Sequence, residues 1–136
     1  FSADELDNLR KYLRAGGFLH IDDNYGMDPF IRPQLLALLP DAPLEQLMPN
    51  DPIFKLPFDM PEGLPKIHAH DEKPSEAWCI RLNGRIVLLY TFEADLGDGW
   101  EDQEVHNDPQ EKREQALRMG ANIIAYAFSN RFHVTQ

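Results

Sequence analysis

Three polar clusters in this chain carry side chains able to do chemistry. Asp22-Asp23-Asn24-Tyr25 follows directly on the apolar run Phe18-Leu19-His20-Ile21. His68-Ala69-His70-Asp71 sets two imidazoles one residue apart. The third cluster, EADLGDGWEDQEVHND over residues 93–108, gathers Asp95, Asp98, Glu101, Asp102 and Glu104 around Trp100, with Gly97 and Gly99 among them.

Each cluster suits a particular chemistry. A carboxylate at a strand end can ligate a metal, orient a water or act as acid or base, which makes Asp22 and Asp23 the catalytic candidates. Neighbouring residues of a strand point to opposite faces, so one of the pair is expected to bind while the other caps. Asn24 and Tyr25 are then candidate ligand contacts. The alternative is a turn in which Asp and Asn bond backbone amides and Gly26 completes the reversal. His68 and His70, in an extended segment, fall on one side and could share a metal ion, with Asp71 supporting an imidazole. The alternative is two surface histidines between Pro65 and Pro74. The third cluster lacks the alternate-oxygen spacing of a calcium loop. Its carboxylates beside an indole suit a carbohydrate, whose hydroxyls bond carboxylates and whose apolar face stacks on Trp. Asp95, Asp98, Trp100 and Glu101 are the ligand-binding candidates there. Glu104 and Asp108 read as solvated loop residues. In the alternative the whole loop is solvated and Trp100 folds back into the core.

Nucleophile and nucleotide signatures are missing. There is no G-x-S-x-G elbow, no G-x-G-x-x-G and no Walker loop. The one cysteine, Cys79, falls in the middle of a strand-like run, and it leaves no internal disulfide to form. A formal net charge of −10 argues against nucleic acid and anionic membrane as partners. It leaves cations, metal ions and neutral ligands. No apolar run approaches the length of a membrane span.

The elements that must position these groups follow from periodicity and punctuation. Ser2-Ala3-Asp4-Glu5 is a capping box, Leu6, Leu9 and Leu13 line one face, and Gly16-Gly17 ends a helix over 3–15. Phe18–Ile21 reads as a short buried strand, with residues 22–28 as the loop beyond it. Asp28-Pro29 resembles an N-cap and first helical position for a helix reaching Leu39, although Pro33 suggests a start nearer that residue. Residues 40–65 carry seven of the eleven prolines and read as an ordered, wandering surface segment with one short strand at 44–48. Trp78–Leu82 and Arg85–Phe92 flank Asn83-Gly84, a strong hairpin signal, and the second run is apolar enough to be buried on both faces. A long polar loop to Pro109 precedes a closing helix over 110–129, with Leu117, Ala121, Ile124 and Phe128 on one face. One α/β domain over 1–136 accounts for the whole pattern. Too few strands are visible for a doubly wound sheet. The chain also opens on a helix rather than on Met. Both features lead to the expectation that strands upstream of Phe1 complete the sheet.

The segments LRKYLRAGGFLHIDDNYG, LPKIHAHD, YTFEADLGDGWEDQEVHND and ALRMGANIIAYAF resemble the bacterial domain of unknown function 4159 family across nearly the whole chain. The resemblance implies a class I glutamine amidotransferase-like fold, a flavodoxin-like three-layer sandwich, similar also to trehalose-utilisation-type domains. It implies an α/β portion before Phe1 and a periplasmic or exported setting, with the cytoplasm as the alternative. The strand end at Ile21-Asp22 resembles the place where amidotransferases hold a nucleophilic cysteine. With Asp there, hydrolysis of glutamine by a thiol is not available.

Three functional readings follow. The first is a binding or accessory module using an acidic strand-end cleft for a small polar ligand or a protein partner. The second is a metal-dependent hydrolase acting on a carbohydrate-type substrate, with a divalent metal ion as its cofactor, Asp22, Asp23, His68, His70, Asp95 and Asp98 as ligands or acid/base groups, and Trp100 as a stacking wall. The third is a structural module of an envelope complex.

Overall fold

The computed structural model describes residues 1–69 and 73–129, so His70 and Asp71 lie outside the described residues. Helix α1 (Ala3–Arg14) begins on the expected capping box: Glu5 N–H donates to Ser2 Oγ, and Ser2 N–H donates back to the Glu5 carboxylate. Its far end is held by a buried cation. The Arg85 guanidinium donates to the carbonyls of Leu13, Gly16 and Gly17 at 3.1, 3.4 and 2.9 Å, which satisfies acceptors that a helix end leaves open.

Strand β1 (Leu19–Asp22) leads to α2 (Asp28–Leu38). The cap of α2 is Met27 rather than Asp28, and it makes no side-chain bond. Asp28 is the first helical residue and pairs with Arg32 one turn on. Pro33 lies inside the helix. It is exposed, so water can take the hydrogen bond that its missing N–H forfeits. The proline-rich segment holds β2 (Glu45–Leu47) and a 3₁₀ turn (Pro52–Phe54), anchored by the buried Ile53 and Phe54.

Strands β3 (Glu76–Leu82) and β4 (Arg85–Phe92) form the expected hairpin. Asn83 and Gly84 both have positive φ, 53° and 79°, as a two-residue turn matched to strand twist requires. The sheet order is β1-β4-β3-β2. β1 runs parallel to β4, while β3 is antiparallel to both β4 and β2. The result is a mixed four-stranded sheet with five α-helices among the described residues. Each face carries its own apolar cluster. Leu13, Leu35 and Leu38 from α1 and α2 pack on Ile80, Leu88 and Tyr90. Phe54, Ala116, Met119 and Ile123 pack on Cys79 and Leu89 from the other side. β4 is buried along nearly its whole length, as its unbroken apolar run implied.

Two further expectations are corrected. The stretch after β4 is not a plain loop, because it holds α3 (Leu96–Trp100) and α4 (Gln103–His106). The closing helix α5 (Gln110–Ser129) turns Ala116, Met119, Asn122 and Ile123 inward, while Leu117, Ile124 and Phe128 are exposed. The reason is polar. The Asn122 amide accepts from Phe58 N–H at 2.9 Å and donates to Phe58 C=O at 2.8 Å, so a hydrophilic residue fixes the inner face.

Candidate functional site

Because β1 and β4 are parallel, their carboxyl ends meet at one edge. Pairing continues past the strands: Asp23 N–H donates to Thr91 C=O at 3.0 Å, and Asp95 N–H to Asp23 C=O at 3.2 Å. Ile67 N–H then donates to Ala94 C=O at 2.8 Å, which draws His68 alongside. Beyond β4 the backbone is bent sharply. Glu93 and Asp95 sit in the left-handed region at φ 53° and 56°, a conformation that costs a non-glycine residue energy and that recurs at functional sites.

Asp22, the last residue of β1, and Asp23, just past it, engage different elements. Asp22 accepts from Thr91 Oγ1 at 2.7 Å and from Gly97 N–H, in the first turn of α3, at 2.8 Å. Asp23 accepts from Met27 N–H at 3.3 Å through Oδ1, beside the start of α2. Its Oδ2 is buried without a hydrogen-bond partner, and burial pushes its carboxyl above the ordinary range. Both carboxylates therefore fix backbone. Asn24 Oδ1 accepts from Tyr25 N–H, and both residues stay exposed at the end of β1.

The densest chemistry is around His68. Its Nδ1 lies 2.5 Å from Asp95 Oδ2 and 3.5 Å from Asp98 Oδ2, and its Nε2 lies 2.5 Å from Asp108 Oδ1. Asp95 and Asp108 are 3% and 5% exposed, so this imidazole is clamped between two buried carboxylates. Burial alone would lower the His68 pKa, but the hydrogen bonds to Asp108 and Asp95 outweigh it and raise the value. Burial raises the Asp95 carboxyl, and the His68 bond only partly opposes that. One ligand atom from each of His68, Asp95 and Asp98 falls within 4.8 Å of the others. The same holds for Asp98, Glu101 and His106 on the solvent side, where His106 Nε2 is 3.3 Å from Asp98 and 3.2 Å from Glu101.

Trp100 divides its surface. Its indole N–H donates to Ala116 C=O at 2.7 Å and its ring lies against Gly120, yet 39% of the residue remains exposed. Helix α3 approaches α5 so closely that a Cβ on Gly99 would lie 2.4 Å from the Ala116 Cβ. Glu104 is exposed as expected. Asp108 is the correction, for it is buried against His68 rather than solvated. His106 was likewise not singled out. Cys79 is fully buried, and burial pushes its thiol up to about 11, which leaves it a poor nucleophile.

A family model described as Domain of unknown function (DUF4159) matches residues 1–128. No curated protein matches the chain.

Proposed function

The chain belongs to the DUF4159 family, and we propose that the family's sheet edge here is a divalent-metal centre, held by His68, Asp95 and Asp98, that hydrolyses a carbohydrate-type substrate. One observation carries this reading. His68 turns Nδ1 toward Asp95 and Asp98 while its Nε2 is fixed by the buried Asp108. A carboxylate behind the far nitrogen is how metal-ligating imidazoles are oriented and made better donors. The mixed nitrogen and oxygen donor set suits zinc or manganese. A cation at that point would polarise a water or a substrate oxygen. His106 and Glu101, on the open side of Asp98, stand where an acid or base is needed, and the exposed part of Trp100 offers a stacking wall for a sugar.

The finer fold reading is flavodoxin-like, of the class I glutamine amidotransferase type, in a periplasmic or exported setting. The parallel β1–β4 pair ending at a polar edge, with helices on both faces, supports the fold part. The family resemblance supports the setting.

A binding or accessory module without turnover is the second reading. What favours it is that Asp22 and Asp23 are engaged with backbone amides and that the one cysteine is buried. Elemental analysis separates the two readings. The protein is incubated with zinc, manganese or calcium, desalted and assayed beside His68→Ala, Asp98→Ala and, at an exposed acid, Glu104→Ala. The expected result is stoichiometric metal in the native protein and in Glu104→Ala, and loss of metal in the other two. No retained metal would overturn the proposal. Metal without cleavage of any chromogenic glycoside or sugar ester would turn the reading to a binding module.

A further inference from the structure

A second cleft, of about 500 Å³, opens beside this edge between the segment before His68 and the first half of α5. Its volume is that of an ordinary small-ligand pocket. Lys66, Lys112 and Arg118 border it beside Asp59 and Glu62, a small positive excess in a chain of net charge −10. Some cations of the molecule are paired with acids, as in Lys11–Asp7, Arg32–Asp28 and Arg81–Asp51. Lys112 instead donates to the Lys66 carbonyl at 3.2 Å. The Arg118 guanidinium lies over the Phe58 ring, 5.6 Å from its centroid. Neither makes an ion pair among the described residues.

We propose that this cleft binds the anionic group of a polyhydroxylated ligand, a sugar acid or a sugar phosphate, with Lys112 and Arg118 as its counter-charges. Lys112 and Arg118, both on the α5 wall and without an ion pair among the described residues, attract a carboxylate or phosphate through charge-assisted hydrogen bonds. Asp59, Glu62 and Gln115 on the same walls are hydrogen-bond partners for hydroxyls. The walls of the cleft lead along the chain to the residues of the proposed metal centre. Lys66 lies two residues before His68, and α5 follows directly on Asp108-Pro109. The Lys112–Lys66 bond ties these two walls together. The assignment rests on the metal-hydrolase reading for the role of the ligand, but anion binding itself needs no metal.

The test is titration calorimetry at low salt on protein stripped by chelator, with trigalacturonate, glucose 6-phosphate and the neutral maltotriose as probes. At least one anionic probe is expected to bind, which also tells carboxylate from phosphate. Lys112→Gln/Arg118→Gln should weaken that binding by about tenfold or more. Lys11→Gln/Arg14→Gln, the same charge change on α1 across the sheet, should leave it unchanged, with folding of both variants checked by circular dichroism. No anionic binding, equal binding of maltotriose, an unaffected Lys112/Arg118 variant or binding only after metal is added would each overturn the cleft assignment. Anion binding without metal uptake would support the cleft and overturn the metal reading instead.

Discussion

Asp28 shows how one side chain at this edge can be stabilising without being reactive. Arg32 donates to both of its oxygens, at 2.9 to 3.2 Å, and Tyr90 Oη donates to Oδ1 at 3.0 Å. The guanidinium also stacks 4.6 Å from the Trp78 ring centroid. Burial by itself would raise the Asp28 pKa, but the bonds from Arg32 and Tyr90 prevail and hold it below the usual carboxylate range. A folded-state pKa below the unfolded value of about 3.9 gives stability that is present above that value and lost as pH falls through the folded one. Asp28→Asn is therefore expected to cost about 1.5–3 kcal/mol at neutral pH. The gap between variant and native protein should close as pH drops below about 4. Urea titrations across that range measure it, and a gap that does not change with pH would show that charge is not the source.

At the scale of elements, the α3–α5 contact is the joint on which the site depends. Gly99 leaves no room for a methyl group against Ala116, and α3 carries Asp98. Gly99→Ala should lower stability by about 1–3 kcal/mol, as overpacking of a tight contact does. It should also weaken metal retention by displacing Asp98. Wild-type retention in a measurably destabilised variant would separate that joint from the site. Some elements were legible beforehand. The Ser2/Glu5 box, the Asn83-Gly84 hairpin and the buried run of β4 are local signals, and local physics decides them. The inner face of α5 was not legible, because hydrophobic periodicity cannot anticipate that Asn122 closes on a loop backbone 64 residues away. The hydrolase reading grouped His68, Asp95 and Asp98 by residue type, together with Asp22, Asp23 and His70, but the backbone pairing that brings the three together was not legible. Their meeting depends on Ile67 pairing with Ala94. Asp108 was misread as solvated because its partner lies 40 residues back in the chain.

At the scale of the whole molecule, two apolar clusters clasp one sheet, and the polar chemistry is collected where β1 and β4 end. Asp22 joins these parts, since one carboxylate bridges Thr91 of β4 and the Gly97 amide of α3. This bridge is expected to govern how fast one backbone proton leaves. A helix of five residues has almost no stability of its own, so its amides should trade hydrogen for deuterium as fast as a loop's. The Gly97 amide is tied to β1 instead, and it should exchange only when the sheet opens, with the slow amides of β1 and β4. Amide exchange followed by NMR would then place one proton of a fraying helix in the cooperative unit of the core. In Asp22→Ala that proton should rejoin its fast neighbours.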